Sequence, residues 1–284
     1  MNARLLVRAA RVLYRSMPLH AVRKLMYGAY ARAVRNRRTI ATIDGIVFDL
    51  DLGELIDISL YLQQYEPDVT AAIERFTRPG MTIVDIGANI GAHALRFAKL
   101  AGPSGKVIAF EPTDFAFAKL ERNIALNSFA NVKPVKLALS DAPAPAQQVN
   151  FRSSWRTDGS RKDGPSTVAF ERLDDWAARN ELSRVDLMKI DVDGNEFPLV
   201  AGGRETIRRT KPLMLMEVVG PHFDDPARNP FAILRDLGYR FRELNSGEEL
   251  TLDAMAARLP KNDVGMTTSF NIVASADAVP AVMA

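Results

Sequence analysis

The sequence predicts an α/β fold in which a doubly wound, mostly parallel sheet carries helices on both faces. The run Thr82 to Ile86 reads as a β-branched strand that leads through a glycine turn into a helical pattern from Ala92 to Leu100. A second apolar run follows at Lys106 to Phe110, and Asp186 to Val192 has the same character of a buried strand. Apolar strands that alternate with helical patterns are typical of parallel sheets.

Composition limits the domain count and the class of partner. The 284 residues and 47% hydrophobic content suffice for one catalytic domain with a full core. The chain has no cysteine, which excludes disulfides, thiolate metal sites and cysteine nucleophiles. Residues 1–43 contain ten Lys or Arg and no acid, so the remainder has a net charge of −7. Because an acidic body repels phosphates, we expect no nucleic-acid partner.

The chain divides into four predicted parts. They are a basic amphipathic helical arm over residues 1–39, a hairpin with helices over residues 40–80, the catalytic core over residues 81–276, and a tail over residues 277–284. In the second part, Ile40 to Leu52 alternates around an Asp44-Gly45 turn, which predicts a hairpin.

Two interpretations of the basic arm stay open. Arg4, Arg8 and Arg11 fall on one helical face, opposite an apolar face. The arm could rest on an anionic membrane surface as a peripheral contact, or pack its apolar stripe on the sheet or on a second copy in a homodimer. The sequence shows neither a signal peptide nor an apolar run of about 18 residues, so we expect a cytoplasmic protein.

Later segments add a third strand, a loop and two helix starts. Asn131 to Ser140 predicts the third strand, and Pro134 places it at the edge of the sheet. Residues 142–166 are rich in Pro, Ala, Ser and Gly, which predicts a long loop. Asp174 is predicted to cap the helix that follows it, and Asn229 with Pro230 to begin another.

The glycine turn indicates which ligand the sheet edge binds. Gly87 and Gly91 lack the middle glycine of the dinucleotide motif, and Asp85 would repel a phosphate but suit an amine. Glu111, at the end of the next strand, is placed to accept hydrogen bonds from ribose hydroxyls. An acid for an amino-acid portion and an acid for a ribose indicate S-adenosylmethionine. The predicted cofactor contacts are Asp85, Gly87, Ala88, Asn89, Gly91, Glu111, Pro112 and Asp191.

Three motifs carry a resemblance to a known family. VDIGANIG at 84–91, FEP at 110–112 and DLMKIDVDGNE at 186–196 resemble the FkbM family of S-adenosylmethionine-dependent methyltransferases in identity, order and spacing. The likeness extends over roughly residues 40–275.

The resemblance implies a class I methyltransferase fold, which is Rossmann-like, with a seven-stranded, mostly parallel sheet and an N-terminal helical extension. It also implies methyl transfer from S-adenosylmethionine to a hydroxyl oxygen of a sugar, a glycan or a small secondary metabolite. Ser140 and Asp141, after the third strand, would contact adenine. Tyr65 and Glu66 would lie over the cofactor, although the residues alone are equally consistent with packing.

Two chemical interpretations account for the acids at the ends of later strands. An acceptor alcohol must be aligned with the methyl group and lose its proton. In one interpretation Asp191 or His222 is the general base and Glu196 orients the acceptor. In the other, Asp191 and Glu217 hold Mg²⁺, which acidifies the alcohol. We favour the first. With three histidines and no cysteine, a zinc site is not expected.

Two other classes of protein compete with the methyltransferase interpretation. An NAD-linked oxidoreductase would need the dinucleotide turn that this sequence lacks. A non-catalytic S-adenosylmethionine-binding protein or membrane-associated scaffold stays open, since it would share the cofactor motifs. His93, just after the glycine turn, is predicted to have a structural role.

Overall fold

The computed structural model describes residue 28, residues 30–260 and residues 268–276. Its strands are β1 Arg38–Ile43, β2 Ile46–Asp51, β3 Thr82–Ile86, β4 Lys106–Phe110, β5 Val132–Val135, β6 Ala138–Leu139, β7 Ala144–Val149, β8 Ser166–Glu171, β9 Leu187–Ile190, β10 Leu213–Val219, β11 Arg240–Glu243, β12 Glu249–Leu250 and β13 Ser269–Ser275. Its helices are α1 Leu55–Tyr61, α2 Pro67–Phe76, α3 Ala92–Ala101, α4 Asp114–Ala125, α5 Leu173–Arg179, α6 Glu196–Gly202, α7 Arg204–Thr210, α8 Pro230–Asp236 and α9 Leu252–Ala257. Short 3-10 helices at Gly220–Phe223 and Pro226–Arg228 join β10 to α8.

The central sheet has the strand order β12-β11-β13-β10-β9-β3-β4-β5 in the described residues. Strands β5, β4, β3, β9 and β10 are parallel, and β13 is antiparallel to both of its neighbours. The chain leaves β3 towards β4 on one side and returns to β9 on the other, so the order reverses at β3. This is the class I methyltransferase fold with its antiparallel closing pair. The seven-strand prediction is corrected to eight, because Glu249–Leu250 pairs with β11.

The two faces of β3 pack against different helices. Val84 and Ile86 join an apolar cluster with residues of α5, α6 and α8. Ile83 points to the opposite face, where it packs with residues of α2 and α3. Asp85 shares that second face by the alternation of the strand and is wholly buried. Asp85 is the charged residue of this strand, and its carboxylate lies among apolar side chains.

The hairpin of β1 and β2 forms a third apolar cluster with α1 and with Ala92 and Leu95 of α3. Two side-chain amides, one in α4 and one just after it, hold the hairpin in place. Asn123 accepts from the Asp49 amide at 2.9 Å and donates to the Ile90 carbonyl at 2.8 Å. Asn127 bonds both backbone groups of Val47, at 2.9 and 2.8 Å. These side chains therefore bond backbone groups of β2 that a neighbouring strand would otherwise pair.

The third-strand prediction is partly corrected. β5 does lie at the edge of the sheet, where Pro134 requires no ladder donor. The predicted strand, however, divides after Val135, and Ala138–Leu139 pairs instead with β8 in a separate three-stranded sheet. β7 forms the other edge of that small sheet, within the predicted loop. Its residues are mostly exposed, so the sequence carries no apolar alternation there.

The rest of the predicted loop is anchored by polar contacts. Asp163 accepts from the amides of Ser153 and Ser154, at 2.5 and 3.0 Å. Buried Arg156 lies 3.3 Å from the carboxylate of Glu54, just before α1. The loop therefore packs on the hairpin region.

Asp174 caps a different helix from the one predicted. It lies in the first turn of α5, and its carboxylate accepts from the amides of Glu205 and Thr206, at 3.1 and 2.7 Å. The capped helix is α7, whose first amides have no partner within the helix. Asn229 caps α8 as predicted, accepting from the amide of Ala232 at 3.0 Å.

Much of the predicted basic arm, residues 1–27 and 29, lies outside the described residues. Residues 30–34 are helical, and Ala31 and Val34 are buried against the hairpin cluster. Across the described ranges, none of the helices combines the length and the apolar character that crossing a membrane requires.

The amide contacts of α4 predict a large effect on stability. Replacing fully buried Asn123 by Ala leaves the Asp49 amide and the Ile90 carbonyl without these partners. We expect Asn123→Ala to lower the free energy of unfolding by about 1–3 kcal/mol, as measured by urea unfolding followed by circular dichroism. Glu121→Ala, at an exposed position of the same helix, should change it by less than about 0.5 kcal/mol. Equal stabilities of the two variants would contradict this account of the hairpin.

Candidate active site

The glycine turn after β3 brings two strand ends into contact. A Cβ at Gly87, where φ is +80°, would lie 1.8 Å from the carbonyl oxygen of Asp191. Only glycine therefore allows this approach. The amides of Gly87 and Ala88 both donate to the carbonyl of Phe110, at 3.0 and 2.9 Å. The turn is thus held against the ends of β4 and β9. Gly91, with a φ of +87°, is the N-cap of α3.

Among the described residues, Asp85 is a buried carboxylate with no hydrogen-bond partner on either oxygen. Burial raises its pKa, against the opposing charges of Lys189 and His93. A buried carboxylate without a donor is costly in free energy, and such groups in folded proteins usually have a partner. Donors from an amine-bearing ligand would supply one, so the residue fits the amino-acid portion of the predicted cofactor.

Glu111 is held at the end of β4, facing the same turn. One carboxylate oxygen accepts from the amide of Asn89 at 3.0 Å, and the other from the amide and hydroxyl of Thr113, at 3.0 and 2.6 Å. Burial raises its pKa in spite of these bonds. A carboxylate accepts about four hydrogen bonds, so capacity is left for a ribose hydroxyl. Pro112, the next residue, is half-buried.

Ser140 and Asp141 follow β6, away from the glycine turn in sequence. The Ser140 amide donates to the carbonyl of Glu171 at 2.9 Å, and a Cβ at Gly202 would lie 2.1 Å from the Ser140 carbonyl oxygen. In the described residues no hydrogen bond joins them to Asp85 or Glu111. Asp141 is exposed and Ser140 half-buried, so both are accessible to solvent.

A buried lysine connects the acids at this edge. Lys189 is 4% exposed and lies beside Asp85 in the register of β3 and β9. Its ammonium group is 2.9 Å from a carboxylate oxygen of Asp191. Burial opposes its charge, but Asp191, Asp85 and Glu66 outweigh that effect and raise its pKa. Lys189 is therefore the ion-pair partner of Asp191, and it remains protonated.

The segment before α2 covers the same face. Glu66 lies 2.7 Å from Nε2 of His93, and the Tyr65 ring stacks on the His93 ring at a centroid distance of 5.2 Å. Burial favours the neutral form of Glu66, but its hydrogen bond to His93 and the charges of His93 and Lys189 lower its pKa. Glu66 has a left-handed backbone, with φ 37° and ψ 65°, directly before Pro67. Sequence patterns gave little signal for the Glu66–His93 pair, because the two residues are far apart in the chain.

Glu196 and His222 form a buried pair beneath the loop that follows β9. They are 2.5 Å apart and only 1% and 3% exposed. The other Glu196 oxygen accepts from the Val192 amide at 3.1 Å, and Nδ1 of His222 accepts from the Val219 amide at 3.3 Å. Both histidine nitrogens are thus engaged. These contacts favour a positioning role over the predicted catalytic roles, which stay predictions.

Three carboxylates lie in the more open part of the same edge. Burial, followed by the charge of Asp191, raises the pKa of Glu217 to about 7. Partial desolvation, followed by the charges of Asp191 and Glu196, raises the pKa of Asp193 to about 6. Because the side chain of Asp193 is exposed, solvent weakens this effect. Asp191 and Glu217 are half-buried. Within the described ranges, no group of three or more acid or histidine side chains is arranged as a metal site.

Two curated relatives are similar to about half of the chain. The chain is 31% identical over 153 residues to the 2-O-methyltransferase NoeI of Sinorhizobium fredii, covering 47% of this chain and 62% of the relative. It is 26% identical over 171 residues to the hexuronic acid methyltransferase AglP of Haloferax volcanii, covering 58% and 63%. The matches therefore span less than two thirds of the length of either relative.

Solved structures resemble the chain more distantly. Aeropyrum pernix fibrillarin, solved with S-adenosyl-L-methionine, has a TM-score of 0.42 and 13% identity, with 73% of each chain covered. The family comparison is more specific, because the model described as "Methyltransferase FkbM domain" matches residues 85–241, which is more than half of the chain. That range begins at the buried Asp85 and extends through β9 and β10 to the second residue of β11. The chain therefore belongs to the FkbM methyltransferase family.

Proposed function

We propose that the protein transfers a methyl group from S-adenosylmethionine to a hydroxyl oxygen of a sugar, a glycan or a small metabolite. The observation that carries the proposal is Asp85, a buried carboxylate at the glycine turn of a class I methyltransferase fold, which has no hydrogen-bond partner in the part of the chain that the structure describes. The names of the relatives NoeI and AglP, a 2-O-methyltransferase and a hexuronic acid methyltransferase, support the acceptor class.

The residues of the edge suit the parts of the cofactor. We infer that Asp85 faces the amino group, that Gly87, Ala88, Asn89 and Gly91 allow close approach of the backbone, and that Glu111 with Pro112 faces the ribose. Ser140 and Asp141 would lie on the adenine side. When bound, S-adenosylmethionine supplies an electrophilic methyl group on a positively charged sulfur. Tyr65 and Glu66, which cover this face, would limit the access of water.

The acceptor would enter beside the half-buried acids. Asp191, held by Lys189 at 2.9 Å, is placed to orient a hydroxyl group. Glu196 and His222 would act through the loop after β9, since their polar atoms are already bonded to each other and to backbone amides. Mg²⁺ held by Asp191 and Glu217 is the alternative that a metal titration tests. Peripheral membrane contact and a homodimer stay predictions, which rest on the basic arm.

The cofactor assignment predicts selective binding. We expect calorimetric titration to show binding of S-adenosylmethionine and its demethylated product, S-adenosylhomocysteine, but not of NAD. Asp85→Ala and Glu111→Ala should each weaken binding by about ten- to a hundredfold, because a hydrogen bond to a charged group contributes about 1.5–3 kcal/mol.

The control for this titration is Glu121→Ala, which should bind like the wild type. Thermal unfolding of each unliganded variant establishes that it is folded. Absence of heat with either sulfur compound, in folded wild-type protein, would overturn the cofactor assignment.

The acceptor assignment predicts transfer of label. With methyl-labelled S-adenosylmethionine and a panel of hexoses, deoxyhexoses and hexuronic acids, we expect a labelled methyl ether on at least one sugar. Asp191→Asn should lower the rate by about a hundredfold or more while the protein still binds the cofactor. Chelation with EDTA should leave the rate unchanged, whereas the Mg²⁺ alternative requires its loss.

A different result would favour the non-catalytic alternative. Cofactor binding without transfer to any sugar or to a metabolite extract is what a scaffold protein would show. A rate that is indifferent to Asp191→Asn would remove Asp191 from the reaction.

A further inference from the structure

A cavity of about 420 Å³ lies beside the segment that covers the cofactor edge. Its lining comes from the turn between β1 and β2, the end of α1, α2 and α3, and includes the stacked rings of Tyr65 and His93. Gln64 and Glu74, which also line it, are exposed, so the cavity opens to solvent. We call it the Arg96 cavity, after the buried arginine of its lining. Sites for small molecules typically occupy about 300–1,000 Å³, so the cavity is large enough for one.

The basic groups of the Arg96 cavity are already engaged. Two nitrogens of Arg96 donate to Glu74 and to Asp44, both at 2.8 Å. His93 is paired with the cover segment, and Lys99, which bonds the Asp44 carbonyl, is not part of the lining. The lining, as far as the structure describes it, therefore offers no uncommitted positive charge to an anionic ligand.

The polar atoms left over in this lining are acceptors. Gln63 donates from its side-chain amide to Asp44 at 3.2 Å, and Gln64 donates to the Gln63 carbonyl at 3.1 Å. Glu74 accepts from Arg96 with one oxygen. Within the described ranges, the side-chain oxygens of both glutamines and the second oxygen of Glu74 have no donor. Hydroxyl groups of a ligand would supply donors to them.

The remaining lining is apolar or aromatic, which narrows the class of ligand. Leu60, Ala71 and Ala92 contribute aliphatic surface beside the two rings. A pyranose ring has hydroxyl donors around its rim and an apolar C–H face, so it satisfies both parts of the lining. A carboxylated sugar would bring a negative charge towards Asp44 and Glu74, and like charges in contact oppose binding.

Backbone strain beside the cavity is an independent observation. Gln63, just after α1, has a φ of 57°, and Glu66 has a φ of 37° directly before Pro67. Left-handed backbone is uncommon for such residues, and a following proline restricts it further. Strain of this kind persists where the surroundings impose it, and it is concentrated at ligand sites and switch segments. The two strained residues bracket Gln64 and Tyr65, which both line the cavity.

We propose that the Arg96 cavity binds an uncharged sugar unit, as a second ligand site next to the cofactor edge. The sugar hydroxyls donate to Gln63, Gln64 and Glu74, and its C–H face packs on the apolar lining. Asp85 is not part of the lining, although His93, which is, acts on it electrostatically. Binding involves no covalent step and does not require methyl transfer, so the site goes beyond the proposed function.

Saturation-transfer difference NMR of the full chain detects such binding even when it is weak. The probes are the methyl glycosides of glucose, galactose and mannose, and we expect saturation transfer to at least one of them. Ala71→Trp places an indole in the cavity from an exposed position of α2, so it should weaken this binding by about tenfold or more. Ala257→Trp, at an exposed position of α9 outside the lining, is the matched control and should bind like the wild type.

Charge provides a second readout of the same site. Glucuronic acid should contribute at least about tenfold less than methyl glucoside to the binding that Ala71→Trp removes. Glu74→Gln removes one carboxylate and keeps the side-chain shape, so this difference should narrow. Glu249→Gln, at an exposed position of β12, should leave it unchanged. Equal contributions of the two compounds in the wild type would overturn the assignment to an uncharged sugar.

The remaining outcomes also decide the proposal. Absence of saturation transfer to all three methyl glycosides overturns the site. Equal sugar binding by Ala71→Trp and the wild type places the sugar elsewhere on the protein, which overturns the site and leaves the proposed function intact. Calorimetric titration with S-adenosylhomocysteine tests the proposed function separately, since Ala71→Trp should bind that compound like the wild type. If Ala71→Trp does not fold, the double variant Gln64→Ala, Glu74→Ala, at two exposed positions, replaces it and should lose the sugar.

Discussion

The active edge depends on one buried charge, the ammonium group of Lys189. It is 4% exposed, is bonded to Asp191, and acts on Asp85 and Glu66 from adjoining elements. Removing one partner from a buried ion pair typically costs about 3–5 kcal/mol, because the remaining charge is left uncompensated. The end of β3, the end of β9 and the segment before α2 are therefore positioned relative to the same group. A single side chain thus determines where the acids of the edge lie.

The acids around Lys189 fall into two sets. Carboxylates of the engaged set are bonded to other groups of the protein, and those of the open set lack such bonds or keep contact with solvent. Glu196 is bonded to His222 and to the Val192 amide, so it is fully used within the protein. Asp85 has no hydrogen-bond donor within the described ranges, and Glu217 is half-buried. A cationic ligand would relieve the repulsion within the open set, whereas the engaged set gains nothing from it. The same arrangement that makes the unliganded edge electrostatically unfavourable makes it selective for positive charge.

Local signals predicted the parts of this structure that depend on local physics. The strand and turn around Gly87, the edge position imposed by Pro134 and the cap at Asn229 follow from residue type and spacing. β7 did not, because its exposed residues show no alternation and its pairing uses backbone groups. The sequence predicts that Asp174 caps the nearer helix, but it caps one that begins thirty residues later in the chain. Contacts between distant segments leave no pattern in a single sequence.

The same limit applies to the acid-base roles, which stay predictions. His222 is a candidate base by residue type, yet both of its nitrogens are engaged. An ordinary glutamate is fully ionised at pH 7, so residue type alone does not distinguish Glu217 from the other acids. Its higher pKa arises from burial and from Asp191, which approach it only once β9 and β10 are paired. Which side chain can accept a proton is therefore a property of the assembled sheet edge, and residue type alone does not determine it.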